Sequence, residues 1–180
     1  MEVTYNGLDF ITYISRDEIA NRIKELATLI TDDCRDKNPL FICVLNGAFA
    51  FASDLFRAIE TNAEITFVKL KSYEGTQSSG KIKQIHGLTV DIKDRTVIVI
   101  EDIIDTGFTM KHLIEDLKDK QPSEIKIATL LLKPDALQYK LDVDYIGFNI
   151  PNKYIIGYGL DIDEQARNLP DIYVLKEEKV

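Results

Sequence analysis

The segment Val97-Ile98-Val99-Ile100-Glu101-Asp102-Ile103-Ile104-Asp105-Thr106-Gly107-Phe108-Thr109-Met110 holds the most reactive combination of residues in the chain. An apolar run of β type ends in two adjacent carboxylates. A third carboxylate follows three residues later, and a Thr-Gly-x-Thr turn then opens a helical pattern. Glu101 and Asp102 can hold ribose hydroxyls and a divalent cation. The turn Asp105-Thr106-Gly107-Phe108-Thr109 offers backbone N–H groups, two hydroxyls and a helix N-terminus to a phosphate. Carboxylates this close repel one another unless a cation or hydrogen-bond donors compensate. Mg²⁺ suits the task, because it is usually held by one or two carboxylates plus substrate oxygens. Taken alone, the same residues also describe a solvated acidic turn.

Three more segments set polar groups against apolar runs. Leu40–Leu45 stops at Asn46-Gly47, and Leu130-Leu131-Leu132 stops at Lys133. Pro151-Asn152-Lys153-Tyr154-Ile155-Ile156-Gly157-Tyr158-Gly159-Leu160-Asp161 combines two tyrosines with two glycines, and Arg167 follows six residues later. The glycines do not form a dinucleotide fingerprint. On residue type alone, Lys133 and Arg167 read as surface cations, and Tyr154 and Tyr158 as core aromatics.

Together, and in this order, the segments resemble the type I phosphoribosyltransferases, and in detail their hypoxanthine-guanine branch. The likeness runs from about residue 45 to residue 167. It implies a fold and a division of labour. Glu101 and Asp102 would contact the ribose hydroxyls of phosphoribosyl pyrophosphate (PRPP) and Mg²⁺, and Asp105 would manage a proton at purine N7. Thr106, Gly107, Phe108 and Thr109 would cradle the 5′-phosphate. Lys133 would read the 6-oxo group, a role suited to a side chain that only donates. Tyr154 would stack on the base, with Ile104, Ile155 and the Asp161 region completing the purine pocket, and Asp161 also serving the metal. Asn46, Gly47 and Arg167 would bind pyrophosphate, with a cis peptide at the first bond of Leu45-Asn46-Gly47. Ser72-Tyr73 would open a flexible loop, Glu74–Lys81, that closes over the site. Relatives often carry a basic residue where this chain has Asn46, and some carry Lys where it has Phe108.

The implied activity is Mg²⁺-dependent transfer of ribose 5-phosphate from PRPP to hypoxanthine, and to guanine, with release of pyrophosphate. Two other readings share the motifs: a xanthine-preferring transferase, and a PRPP-sensing regulator without chemistry. Asp105 and Lys133 favour the enzyme. So does a net charge of −8, which disfavours a nucleic-acid surface. Family analogy implies a homodimer or homotetramer.

The elements needed to position these groups are legible. Ser15-Arg16-Asp17-Glu18 has the form of a capping box, opening a helix with Ile19, Ile23, Leu26 and Ile30 on one face. Strands are expected at Leu40–Leu45, Glu64–Ser72, Thr96–Ile100, Glu124–Leu132, Asp144–Ile150 and Tyr173–Leu175, and helices at Ala48–Glu60 and Thr109–Lys120. The alternation predicts an α/β fold: an open, mostly parallel sheet flanked by helices, with a small hood and a flexible loop, in one domain over residues 1–180. No apolar stretch approaches a membrane span, and the N-terminus lacks the pattern of a signal peptide, so the cytoplasm is expected. Cys43 reads as a core residue, Cys34 lies in a polar stretch, and no CxxC spacing suggests zinc. His86 and His112 read as ordinary surface or partly buried residues.

Overall fold

The computed structural model describes residues 1–70 and 85–176. In chain order the elements are β1 (Glu2–Tyr5), β2 (Leu8–Ile14), α1 (Arg16–Asp33), β3 (Leu40–Leu45), α2 (Phe49–Ala58), β4 (Glu64–Leu70), β5 (Ile85–His86), β6 (Thr96–Ile104), α3 (Phe108–Lys118), β7 (Glu124–Leu132), β8 (Tyr145–Asn149), β9 (Ile155–Ile156) and β10 (Ile172–Leu175). Ser72, Tyr73 and the expected loop Glu74–Lys81 lie outside the described residues. Among those residues, no helix is long and apolar enough to cross a membrane.

The main sheet has the order β5-β4-β3-β6-β7-β8. Strands β4, β3, β6, β7 and β8 run parallel, and only β5 is antiparallel. Successive residues of a strand face opposite sides, and β6 shows the consequence. Ile98 and Ile100 enter a core shared with Ile19, Leu26, Phe51 and Leu55 of α1 and α2. Val97 and Val99 enter a second core shared with Leu113 and Leu117 of α3. Burial on both faces explains why this strand reads as a continuous apolar run rather than an alternating one.

Strand β6 continues to Ile104, four residues beyond the expected end at Ile100. Its ladder with β7 is carried through Ile103 opposite Leu131 and Ile104 opposite Leu132. The acidic pair is therefore held inside the last part of a strand and does not begin a loop. Both cysteines are buried and free. Burial pushes the Cys43 thiol up to about 12, which leaves it unreactive at neutral pH.

The hood is a second, antiparallel sheet of order β1-β2-β10-β9. Half of it comes from an N-terminal hairpin that the motif reading did not anticipate, although Asn6-Gly7 is a strong two-residue hairpin signal. Both turn residues adopt positive φ, 51° and 75°. Phe10, Ile156, Ile162, Ala166 and Tyr173 form the hood's own core.

The two sheets meet at the start of α1. Ser15 caps the helix reciprocally with Glu18, as its sequence indicated. The next residue, Arg16, donates its backbone N–H to Asp171 Oδ1 (2.8 Å), and its guanidinium reaches the same carboxylate at 3.3 Å. Tyr173 Oη donates to Asp171 at 3.1 Å. Burial alone would raise the pKa of Asp171, but these donors prevail and hold it below the usual carboxylate range. A depressed folded-state pKa gives stability that is present above the unfolded value and is lost as pH falls through the folded one. Asp171→Asn is therefore expected to lose roughly 1–3 kcal/mol of stability at pH 7. The gap should begin to narrow as the pH drops below about 4 and close only below the depressed folded-state value. Urea unfolding at pH 7 and pH 3 checks this, and a pH-independent gap would remove the linkage.

Candidate active site

The strand order reverses between β3 and β6: the chain proceeds outward from β3 to β4 on one side and from β6 to β7 and β8 on the other. Open α/β sheets form a crevice beyond the carboxyl ends of the strands at such a reversal. The end of β3, the acidic end of β6 and Lys133 after β7 all open toward this edge.

At the end of β3 the Leu45–Asn46 peptide is cis. The turn that follows is packed against its neighbours. A Cβ on Gly47 would fall 1.5 Å from Asp102 Oδ2, and a Cβ on Gly159 of the hood would fall 2.1 Å from Gly47 O. Hood, β3 turn and β6 carboxylate are thus stacked at distances that only glycine permits. Tyr158 reinforces the junction by donating its hydroxyl to Asp54 of α2.

Glu101 and Asp102 stand beside each other, half-buried. Desolvation, followed by the charge of Asp102, pushes the Glu101 carboxyl well above its ordinary range. Among the described residues, no three Asp, Glu, His or Cys side chains form a ready-made cation cage. Asp161 accepts instead from the Glu164 N–H (2.9 Å) and faces Arg167 at 2.9 Å. The donor set still fits Mg²⁺, which needs one or two hard carboxylates and completes its shell with substrate oxygens and water. The mutual repulsion of Glu101 and Asp102 is what a divalent ion would relieve.

The turn after β6 is prepared for an anion. Gly107 (φ 80°) is the N-cap of α3 and no side chain caps this helix, in contrast to α1. Apart from that of Phe108, its first N–H groups are therefore left for a ligand. The Phe108 N–H donates to Thr106 Oγ1 at 3.3 Å, which tightens the turn. A cavity of about 110 Å³ is lined by Glu101 and residues 103–110. The Phe108 ring does not supply charge; it packs edge-on against His112 at 4.5 Å and near Tyr139 at 5.8 Å. A larger cavity of about 480 Å³ lies between α3 and the start of β7, lined by Lys111, Lys118, Lys140 and three acids, and does not touch the carboxylates of β6.

Lys133 is not a surface lysine. It is 7% exposed, and its Nζ donates to Asp105 Oδ2 at 2.9 Å and to Asn152 Oδ1 at 3.1 Å. Its backbone N–H donates to Ile104 O, so the ends of β6 and β7 are joined at the pair. Tyr154 is 49% exposed, with the buried ring of Phe10 behind it at 6.0 Å. It is thus available at the surface, whereas Tyr158 is the core aromatic. Ile155 is buried in β9. Arg167 is already engaged: Nη1 donates to Gly159 O, and Nη2 lies 2.9 Å from both Asp161 and Glu164. Its Nε and Nη2 edge thus faces carboxylates of the protein itself.

The site includes three residues to which the sequence reading gave no part: Phe10, Asp54 and Asn152. Phe10 was signalled by the alternation Leu8, Phe10, Thr12, Ile14 after Asn6-Gly7. Asp54 and Asn152 carried no local signal, because their partners Tyr158 and Lys133 are 104 and 19 residues away.

Comparison with known proteins agrees with this architecture. Residues 15–163 match the model of the phosphoribosyl transferase domain. The chain belongs to the phosphoribosyltransferase family. It is 44% identical over 165 residues to the hypoxanthine-guanine phosphoribosyltransferase of Streptococcus pyogenes serotype M3, covering 91% of this chain and 92% of that one. Against the enzyme of the same name from Streptococcus pneumoniae it is 45% identical over 166 residues, 92% of each chain. The crystal structure of a hypoxanthine-guanine phosphoribosyltransferase from Bacillus anthracis superposes with a TM-score of 0.83 at 37% identity, covering 93% of this chain and 97% of that one. In this chain the turn before α3, the acidic pair and the glycine-lined turn after β3 share one sheet edge.

Glycine 159 combines a φ of 99° with a 2.1 Å clash for any added Cβ. Gly159→Ala is expected to pry the hood from the β3 turn and to cost about 1–3 kcal/mol of stability. A thermal melt at the parent temperature would argue that the hood moves freely here.

Proposed function

We propose that the chain transfers the ribose 5-phosphate of PRPP to hypoxanthine, and to guanine, releasing pyrophosphate. The observation that carries this reading is the Lys133–Asp105 ion pair at the sheet edge, with a half-exposed aromatic nearby on the hood. A donor-only cation suits a 6-oxo group and mispairs with a 6-amino group. A carboxylate beside it suits a proton at the neighbouring ring nitrogen.

On this reading the uncapped N-terminus of α3, with Thr106, Gly107, Phe108 and Thr109, holds the 5′-phosphate through backbone N–H groups and hydroxyls. Glu101 and Asp102 orient the ribose hydroxyls. Asn46, Gly47 and Arg167 receive the pyrophosphate, with Asn46 contributing donors without charge. Tyr154 stacks on the base, while Ile104, Ile155 and the Asp161 region close the pocket around it, and Lys133 fixes its 6-position. The bond between the anomeric carbon and pyrophosphate breaks, N9 forms the new bond to that carbon, and Asp105 accepts the proton from N7. Glu101 and Asp102 would hold Mg²⁺ with substrate oxygens, joined by Asp161 only once it gives up Arg167, and the charge of the cation would help pyrophosphate leave. Ser72 and Tyr73 belong to the segment proposed to exclude water. The same reading takes residues 1–180 as one working unit in the cytoplasm, assembled as a homodimer or homotetramer. Exposed Leu29, Phe49 and Phe67 are consistent with such a contact.

The test is nucleotide formation from PRPP and Mg²⁺ with hypoxanthine, guanine, xanthine and adenine offered separately. Product from the 6-oxopurines and not from adenine is expected, and failure with all four would overturn the reading. Asp105→Asn should lower turnover by roughly 10²–10⁴-fold without unfolding the protein, and near-parental turnover would remove Asp105 from proton transfer. Lys133→Ala should narrow the preference for hypoxanthine over adenine, measured as the ratio of kcat/KM values.

A further inference from the structure

We propose that Asn152 is the positioning residue that aims Lys133 at the 6-position of the base, and so helps set the preference for 6-oxo over 6-amino purines. The inference rests on the reading of Lys133 as the base-recognising cation.

An ammonium group has three N–H donors and no acceptor. Lys133 is nearly buried, so each donor needs a partner. Among the described residues two are present: Asp105 Oδ2 at 2.9 Å and Asn152 Oδ1 at 3.1 Å. They arrive from different elements, Asp105 from the turn after β6 and Asn152 from the link between β8 and β9. The backbone on both sides is stitched in place. The Lys133 N–H donates to Ile104 O at 3.0 Å, and the Ile150 N–H to Leu132 O at 2.8 Å. Two acceptors on fixed supports locate Nζ and leave it one hydrogen for the base. With Asp105 alone, the flexible four-carbon stem could pivot around a single anchor.

The chemical type of residue 152 matters as well. An amide oxygen accepts the second hydrogen without placing another negative charge beside Asp105. The pair therefore stays one carboxylate to one ammonium. Asn152 itself is exposed, so the fold has little need of its side chain. Its position two residues before Tyr154 also ties the stacking aromatic of the hood to the cation of the sheet.

The experiment is a steady-state comparison, with Mg²⁺ and PRPP, of the parent with Asn152→Ala, Asn152→Asp, Lys133→Ala and the double variant Lys133→Ala/Asn152→Ala. Asn152→Ala should raise the KM for hypoxanthine roughly tenfold while the KM for PRPP stays within about twofold. Its preference for hypoxanthine over adenine should fall. Asn152→Asp, which keeps an acceptor oxygen but sets a second negative charge beside Asp105, should recover only part of that preference. In the Lys133→Ala background, adding Asn152→Ala should change neither constant further, because the two residues act as one unit. Unchanged KM and preference in Asn152→Ala would overturn the inference, and so would an equal loss with and without Lys133. A parent that makes no nucleotide from any 6-oxopurine would overturn the functional reading, and this inference with it. An active parent with an indifferent Asn152→Ala would overturn this inference alone.

Discussion

Strand β3 is paired on one side with β4 and on the other with β6, and the chain leaves these two neighbours in opposite directions. The loops that follow β3 and β6 are thereby parted, and a crevice is expected between them at this reversal of strand order. Everything polar at the site hangs from this divergence. The cis turn at Asn46-Gly47 lines one wall, the acidic end of β6 the other, and Lys133 stands one strand further on. Because β3 and β6 are buried on both faces, their register cannot slip without exposing one of two cores. Side chains at their ends are therefore held by the packing of the whole domain.

Charge is distributed along that edge with a consistent logic. Glu101 and Asp102 are crowded and partly desolvated, which holds the Glu101 carboxyl well above its ordinary range. Asp105, three residues beyond the pair, has a cation of its own in Lys133. The three carboxylates are thus separated into a pair that suits an external cation and a single group already matched within the protein. On the proposed reading, the first serves ribose and Mg²⁺ and the second serves the base. The start of α3, whose N-cap Gly107 offers no capping side chain, adds a third, positive region for phosphate. A protein of net charge −8 can in this way bind a highly anionic substrate, because local geometry outweighs net charge over a few ångströms.

The hood owes its place to groups far apart in sequence. Its first two strands precede α1 and its last two follow residue 154, and Arg16 with Asp171 ties them to the main sheet. Gly47 against Gly159, and Tyr158 on Asp54, then set the distance between hood and crevice. Tyr154 reaches the surface because Phe10 fills the space behind it. The N-terminal hairpin thus shapes the site without contributing a polar group to it.

Much of this could be read from local pattern. The capping box at Ser15, the strand Leu40–Leu45, the strand Glu124–Leu132 and the helix after Gly107 depend on neighbours within a few residues, and the structure reproduces them nearly residue for residue. The ends of β3 and β7 were also legible, because apolar runs ending in Asn-Gly or Lys mark where polar groups enter at a strand terminus. What local pattern could not reveal was pairing. The extension of β6 to Ile104 was decided by β7, the burial of Lys133 by two partners from other elements, and the engagement of Arg167 by Asp161 and Glu164. Asn152 and Asp54 look ordinary in the chain and acquire meaning only through side chains that folding brings to them. The sequence by itself determined which elements form and which groups they carry, since helix caps, turns and periodicity are short-range. Tertiary structure alone decided which of those groups touch, since burial and hydrogen-bond partnership are properties of residues distant along the chain.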